Sequence, residues 1–162
     1  MAGKKSSGKS PEDSNSRIIC RNRRARHNFE ILDEIECGIV LMGSEVKSIR
    51  DNQVNIEEAY ARVENNEVWL HNADIAEYPQ ATYLNHERRR PRKLLLHRRE
   101  IHKFAEGALQ KGMTLVPLAL SFSRGKVKVT LAVAKGRKNY DKRDKILKHE
   151  DQKAMRDSLK RR

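Results

Sequence analysis

The chain has 162 residues, room for one domain with a real hydrophobic core and too few for two, and its 35 Lys and Arg against 22 Asp and Glu leave a net charge of +13. No apolar run approaches the ~18 residues of a membrane span, so the surplus charge points to a polyanionic partner, nucleic acid before lipid. Cys20 and Cys37 form no CxxC pair and the opening MAGKKSSGKS lacks an apolar stretch, a combination that fits a reducing cytoplasm rather than secretion.

Taken in chain order, Met1 to Ser16 is rich in Lys, Ser, Gly and Pro without an apolar period and is expected to be disordered. A basic arm, RNRRARHN, follows. Phe29 and Ile31 then alternate with polar residues and Ile39 to Met42 form an apolar run, which predicts two early strands. In GSEVKSIRDNQ, Ser44 is placed as the N-cap of a short helix carrying Val46 and Ile49. AYARVENNEVWLHN alternates at Ala59, Ala61 and Val63, turns at Asn65 and Asn66, and resumes at Val68 and Leu70, the pattern of a hairpin.

Tyr78 to Arg92 reads as a long loop. Beyond it Ile101, Phe104, Ala105, Ala108 and Leu109 fall at helical spacing, with Gly112 placed to end the helix. MTLVPLALSF and KVKVTLAVA predict a second hairpin around Ser123 to Gly125, with Pro117 on an edge or a bulge. Short antiparallel strands, two helices and no βαβ alternation predict a mainly β fold with some α: an OB-like antiparallel barrel with flanking helices.

The charge is unevenly placed. Met1 to Arg26 holds 8 basic and 2 acidic residues, Lys135 to Arg162 holds 12 and 5, and the residues between are balanced at 15 of each sign. That balanced middle is itself polarised, with 3 basic and 12 acidic residues over 27–83 and 12 and 3 over 84–134, so the body is expected to carry an acidic region and a basic one. Arg88, Arg89, Arg90, Arg92 and Lys93 put five cations into six positions with no acid among them, and that crowding calls for a compensating anion such as phosphate. The three leucines that follow, Leu94 to Leu96, read as core. The histidines, by contrast, form no HxH, HExxH or Cys/His set, and no GxSxG or P-loop pattern exists, so neither an enzyme nor a bound metal or other cofactor is expected. Two other readings of the composition are a structural ribosomal protein and, from the histidines, a nuclease.

NRRARHNFEI, GIVLMGSEVKSIR, RPRKLLLHRREI and VAKGRKNYDKR, in this order and at these distances, resemble the signature segments of small protein B, the SsrA-binding partner of bacterial transfer-messenger RNA. The resemblance covers about Asn22 to Arg143. It implies an RNA-binding adaptor that holds the tRNA-like part of that RNA and delivers it to stalled ribosomes for trans-translation, so that the ribosome is released and the nascent peptide tagged for degradation. The implied RNA contacts are Arg23, Arg24, Arg26 and His27 on the arm, Glu36, then Gly43, Ser44, Glu45, Lys47 and Ser48, and finally Arg92, Lys93, Leu95 and His97. Further implied partners are the small-subunit rRNA with its decoding site and mRNA channel and, indirectly, elongation factor Tu carrying the alanyl-charged RNA. The implied location is cytoplasmic, away from any membrane.

The closing segment from Gly136 has i to i+4 pairs such as Asp144 with Lys148, each worth roughly 0.2–0.5 kcal/mol of helix stability, too little to nucleate a helix alone in water. It is expected to be disordered by itself and helical on a polyanionic surface, which the resemblance identifies as the empty mRNA path of the ribosome. Lys135, Gly136, Lys138, Tyr140, Asp141, Lys142 and Arg143 are its implied ribosome contacts, with Tyr140 suited to stacking on a base. The expected organisation is a disordered basic extension over 1–17, the barrel over 18–134 and the basic tail over 135–162.

Overall fold

The computed structural model describes residues 16–81, 84–109 and 112–137. In chain order the elements are β1 (Ser16–Arg21), α1 (Arg23–Asn28), β2 (Phe29–Ile39), α2 (Gly43–Arg50), β3 (Val54–Asn55), β4 (Tyr60–Glu64), β5 (Glu67–His71), β6 (Asp74–Ile75), β7 (Arg92–Leu95), α3 (Arg98–Leu109), β8 (Met113–Ser123) and β9 (Lys126–Gly136). Strand pairing runs β8–β4–β5–β7–β2–β9 and returns from β9 to β8, every pair antiparallel. This ring of strands with flanking helices is the expected mainly β class.

Both hairpins form where the turn chemistry places them. Asn65 and Asn66 sit at φ 50° and 60°, and Arg124 and Gly125 at 50° and 75°, the left-handed pairs that a two-residue turn requires. The ring encloses Val68, Leu70, Leu94, Leu115, Leu120, Val129 and Leu131, all nearly inaccessible, and Phe104 of α3 closes it from outside. The periodicity of α3 holds except at its end, since Leu109 is 85% exposed. The two early strands are instead one: β2 runs 11 residues with a bulge at Leu32, and Val40 to Met42 leave the ring to become the approach to α2. A strand ahead of the arm, β1, begins at Ser16, and the arm itself is helical.

β8 has one edge on β9 and divides the other between two strands. Leu115 pairs with Ala61 of β4, and Ala119 to Ser123 pair with β1, so Pro117 lies at the bulge between the two partners rather than on a free edge. Asn22 fills the seam. Its backbone N–H donates to Leu118 O at 2.8 Å, and its side-chain amide donates to Pro117 O at 3.2 Å and Ile56 O at 3.0 Å. Its Oδ1 accepts from the Ala25 N–H at 2.9 Å, which starts α1 as an N-cap.

The short helix α2 is tied to the ring by charge. Glu45 is fully buried and accepts from Arg90 Nε at 2.8 Å, Arg90 Nη2 at 2.6 Å, Arg92 Nε at 2.8 Å and the Met42 N–H at 2.7 Å. Arg92, equally buried, donates three of its four remaining protons to the carbonyls of Ala73, Arg90 and Arg88 at 2.6–3.1 Å. Burial pushes the Glu45 carboxyl upward, but the bonds from Arg90, the Met42 amide and Arg92 outweigh it and hold the group below its ordinary 4.5. Burial lowers Arg92 from its ordinary value, yet a guanidinium stays protonated throughout the physiological range.

Glu45→Gln leaves two arginines facing a neutral amide and is expected to cost about 3 kcal/mol or more of unfolding free energy at neutral pH. Because the folded carboxyl is depressed, its contribution is complete above the ordinary range and is lost as pH falls through the folded value. Denaturant unfolding of wild type and variant at pH 7, 5 and 3 should therefore show curves that converge in acid.

Candidate nucleic-acid interface

The residues implied as RNA contacts separate into two areas. The first is α1, which packs Ala25 under the arm against Val116, Leu118, Ala132 and Ala134 and leaves Arg23, Arg24, Arg26 and His27 exposed. Arg24 reaches Glu57 at 3.2 Å and Arg26 reaches Glu34 at 3.3 Å, both in solvent, where such pairs yield readily to a phosphate. α1 joins β2 at Phe29, whereas the second area lies around Gly38, nine residues and roughly 30 Å along the strand. The sequence gives no hint of this separation.

The second area centres on Leu95. Of the three leucines read as core, Leu94 is buried and Leu96 packs on the core, but Leu95 points outward and is 52% exposed. It pairs with Gly38 of β2, where an added Cβ would meet Leu95 Cβ at 3.3 Å, so the missing side chain seats the leucine. Leu95 is a ridge between two depressions. One, of about 590 Å³, is bordered by Asn65, Asn66, Lys93, Arg98 and His102; the other, of about 270 Å³, by Gly38, Val46, Gly125, Lys126 and Lys128. Glu36, two residues from Gly38 on the same face, is exposed and accepts from Lys128 Nζ at 3.1 Å. His97 is exposed at the start of α3, its N–H donating to Glu100 Oε2 at 2.8 Å.

In α2 the implied contacts divide by burial. Gly43 is open, with no atom within 4 Å of where a Cβ would stand, and Lys47 is exposed with its ammonium 5.2 Å from the Tyr78 ring centroid. Ser44 is not the N-cap, a position that belongs to Met42; its hydroxyl lies 3.0 Å from His86 Nδ1. His86 Nε2 faces the Ile75 carbonyl at 3.1 Å, which can only accept, so Nε2 carries a proton and the ring bridges Ser44 to Ile75. Ser48 is buried, with no hydrogen-bond partner for its hydroxyl among the described residues, and Glu45 and Arg92 are sealed inside their own network. Glu45, Ser48 and Arg92 are thus buried, and the Glu45–Arg92 network braces the open residues beside it.

The crowded cations need no external anion. Arg88 forms a two-point pair with Asp74 at 3.0 and 3.2 Å, Arg89 sits 3.7 Å from Glu58 and 3.8 Å from Asp74, Arg90 and Arg92 share Glu45, and Lys93 is paired with Glu67. Lys103 with Asp33 and Lys128 with Glu36 follow the same rule. The acidic and basic regions expected of the body thus meet in ion pairs across the fold. Burial, followed by the neighbouring Glu36, pushes the Cys37 thiol up to about 12, and burial also raises Cys20, so both are biased toward the protonated thiol. Sequence reading missed Asn22, although an Asn immediately before a basic helix is an N-cap signal. Of the implied ribosome contacts, Lys135 and Gly136 are exposed at the end of β9, while Lys138, Tyr140, Asp141, Lys142 and Arg143 lie outside the described residues.

The chain is similar to known proteins over most of its length. The family described as SmpB protein matches residues 19–161. The SsrA-binding protein of Mycolicibacterium vanbaalenii is 47% identical over 95% of this chain and 93% of its own length, and that of Thermobifida fusca is 46% identical over 100% and 99%. Among solved structures, a chain from work described as "tmRNA-SmpB: a journey to the center of the bacterial ribosome" superposes with a TM-score of 0.64 at 46% identity, covering 75% of this chain and 85% of that one. With a match across nearly the whole length and relatives this similar, the chain belongs to the SmpB family.

Proposed function

We propose that this chain is the SsrA-binding adaptor of trans-translation: it holds the tRNA-like domain of transfer-messenger RNA and brings it to ribosomes stalled without a stop codon, so that the ribosome is freed and the unfinished peptide tagged for degradation. The observation that carries this reading is the 46–47% identity, along essentially the whole chain, to proteins named for binding SsrA. The geometry supplies a means. Leu95 offers an apolar ridge for an unstacked base, His97 a hydrogen-bonding ring beside it, and Gly43 and Lys47 an uncluttered approach and a charge for phosphate, while α1 makes a second contact. Glu36 can accept from a base amino edge once Lys128 turns to phosphate. The protein acts as an adaptor in the cytoplasm rather than as a catalyst, and elongation factor Tu joins through the alanyl-charged RNA.

In this reading the tail beyond β9 probes the mRNA channel of the small subunit. Lys135, Lys138, Lys142 and Arg143 meet rRNA phosphates, Asp141 adds a polar contact near the decoding site, Tyr140 stacks, and Gly136 lets the chain turn out of the strand. A vacant channel admits the tail and an occupied one excludes it, so vacancy is the signal.

RNA that co-purifies with the protein from cells should be dominated by a single species, transfer-messenger RNA, on sequencing; recovery of mixed RNA in its place would reject the reading. Leu95→Ala and His97→Ala should each weaken binding to the tRNA-like domain about ten-fold in filter binding, with thermal unfolding little changed. A chain ending at Lys135 should bind that RNA within about three-fold of the full chain and yet fail to support peptide tagging in a reconstituted translation reaction. Equal loss of both activities would remove the division of labour between body and tail.

A further inference from the structure

Many cations of the body are matched to carboxylates, and two of those that are not lie close together. Arg17, near the start of β1, and Arg50, the last residue of α2, are exposed and have no ion-pair partner among the described residues. The fold sets them on the same depression. A groove of about 470 Å³ runs between β1, the end of α2 and the β8–β9 turn, bordered by Arg17, Arg50 and Asn52 over a floor of Ile19, Ile49 and Phe122. Arg17 is opposite Phe122 in the β1–β8 register, one residue pair from the end of the ladder that leads to the turn. Asn52 stands in the left-handed conformation at φ 58° just past α2.

This groove shares one lining residue with the depression beside Leu95. Gly125, at the tip of the β8–β9 turn, borders both depressions, and no atom lies within 4 Å of the place a Cβ would occupy there. Lys126 follows it, exposed and likewise without an ion-pair partner among the described residues. Carboxylates near the path are Glu36, already held by Lys128, and Asp51, exposed beside Arg50 in sequence. A shallow trough with an apolar floor, cations at its rim and a glycine at its crossing suits a ribose-phosphate chain: the floor takes sugar and base edges and the rim takes phosphate.

We propose that the groove extends the RNA interface, so that the backbone of the RNA held at the Leu95 ridge crosses the β8–β9 turn past Lys126 and lies between Arg17 and Arg50. The inference rests on the function proposed above and adds to it a path and two phosphate contacts.

Salt dependence tests it. Affinity for an in vitro transcript of the tRNA-like domain is measured at several salt concentrations for wild type, the double variant Arg17→Ala/Arg50→Ala, the charge-conserving Arg17→Lys/Arg50→Lys, and Arg62→Ala as a control on a different groove, bordered by β4 and α3. Loss of two phosphate contacts should reduce the slope of log K against log salt by about 1.4–1.8, so that the wild-type advantage shrinks about ten-fold between roughly 50 and 200 mM. The lysine pair should keep the wild-type slope, and so should Arg62→Ala. A wild-type slope in the double alanine variant would overturn the path while leaving the proposed function standing. So would an unchanged slope on RNA accompanied by weaker binding to purified ribosomes, which would assign the groove to rRNA. Absence of binding by wild type itself would instead overturn the proposed function, and this inference with it.

Discussion

One carboxylate inside the protein holds the interface together. Glu45 is buried on α2, and a charge in that position is tolerable only because Arg90, Arg92 and a backbone amide are all directed at it. The arrangement works in both directions: the arginines have their own protons taken up by carboxylate and carbonyl oxygens, so neither charge is left alone in a medium that solvates it poorly. The mechanical effect is to clamp the start of α2 to the start of β7. Gly43 and Lys47 are carried by one partner and Lys93 and Leu95 by the other, so the open surface inherits its geometry from a buried pair.

The same principle operates across the body at lower intensity. Acidic residues gathered in the first half of the middle segment meet basic residues gathered in the second, at Asp74 with Arg88 and Arg89, Glu67 with Lys93, Asp33 with Lys103 and Glu36 with Lys128. Many of these pairs are exposed and individually weak. Their collective effect is selection rather than strength: they leave the two halves complementary, while exposed cations without such a pair remain among the described residues, at Arg17, Arg50 and Lys126 for example.

Much of the architecture was legible because it rests on local rules. The Asn65–Asn66 and Arg124–Gly125 turns, the alternation of β9 and the period of α3 all depend on backbone conformation and side-chain spacing within a dozen residues. What escaped were features set by distant partners. Leu94, Leu95 and Leu96 look alike in sequence, and only the position of β7 between β5 and β2 decides that the middle one faces out. Arg92 resembles its neighbours until Glu45, 47 residues away, takes it inside. The arginine cluster appeared to lack anions for the same reason: they come from across the fold. Resemblance to a family named residues without separating those that lie open on the surface from those, like Glu45, Ser48 and Arg92, that lie buried beneath it.

The seam at Asn22 has a bearing on how the molecule is made. Its amide joins carbonyls 34 and 95 residues away, and those carbonyls come together only after β4 and β1 have both settled along β8. α1 starts from that same side chain. The basic arm is thus a late product of folding: during synthesis its arginines are among the first cations out of the ribosome, but they acquire a fixed orientation only after β8, near the other end of the chain, has followed. A half-made copy would carry the charges without the shape, attracting RNA in general while lacking the means to favour one.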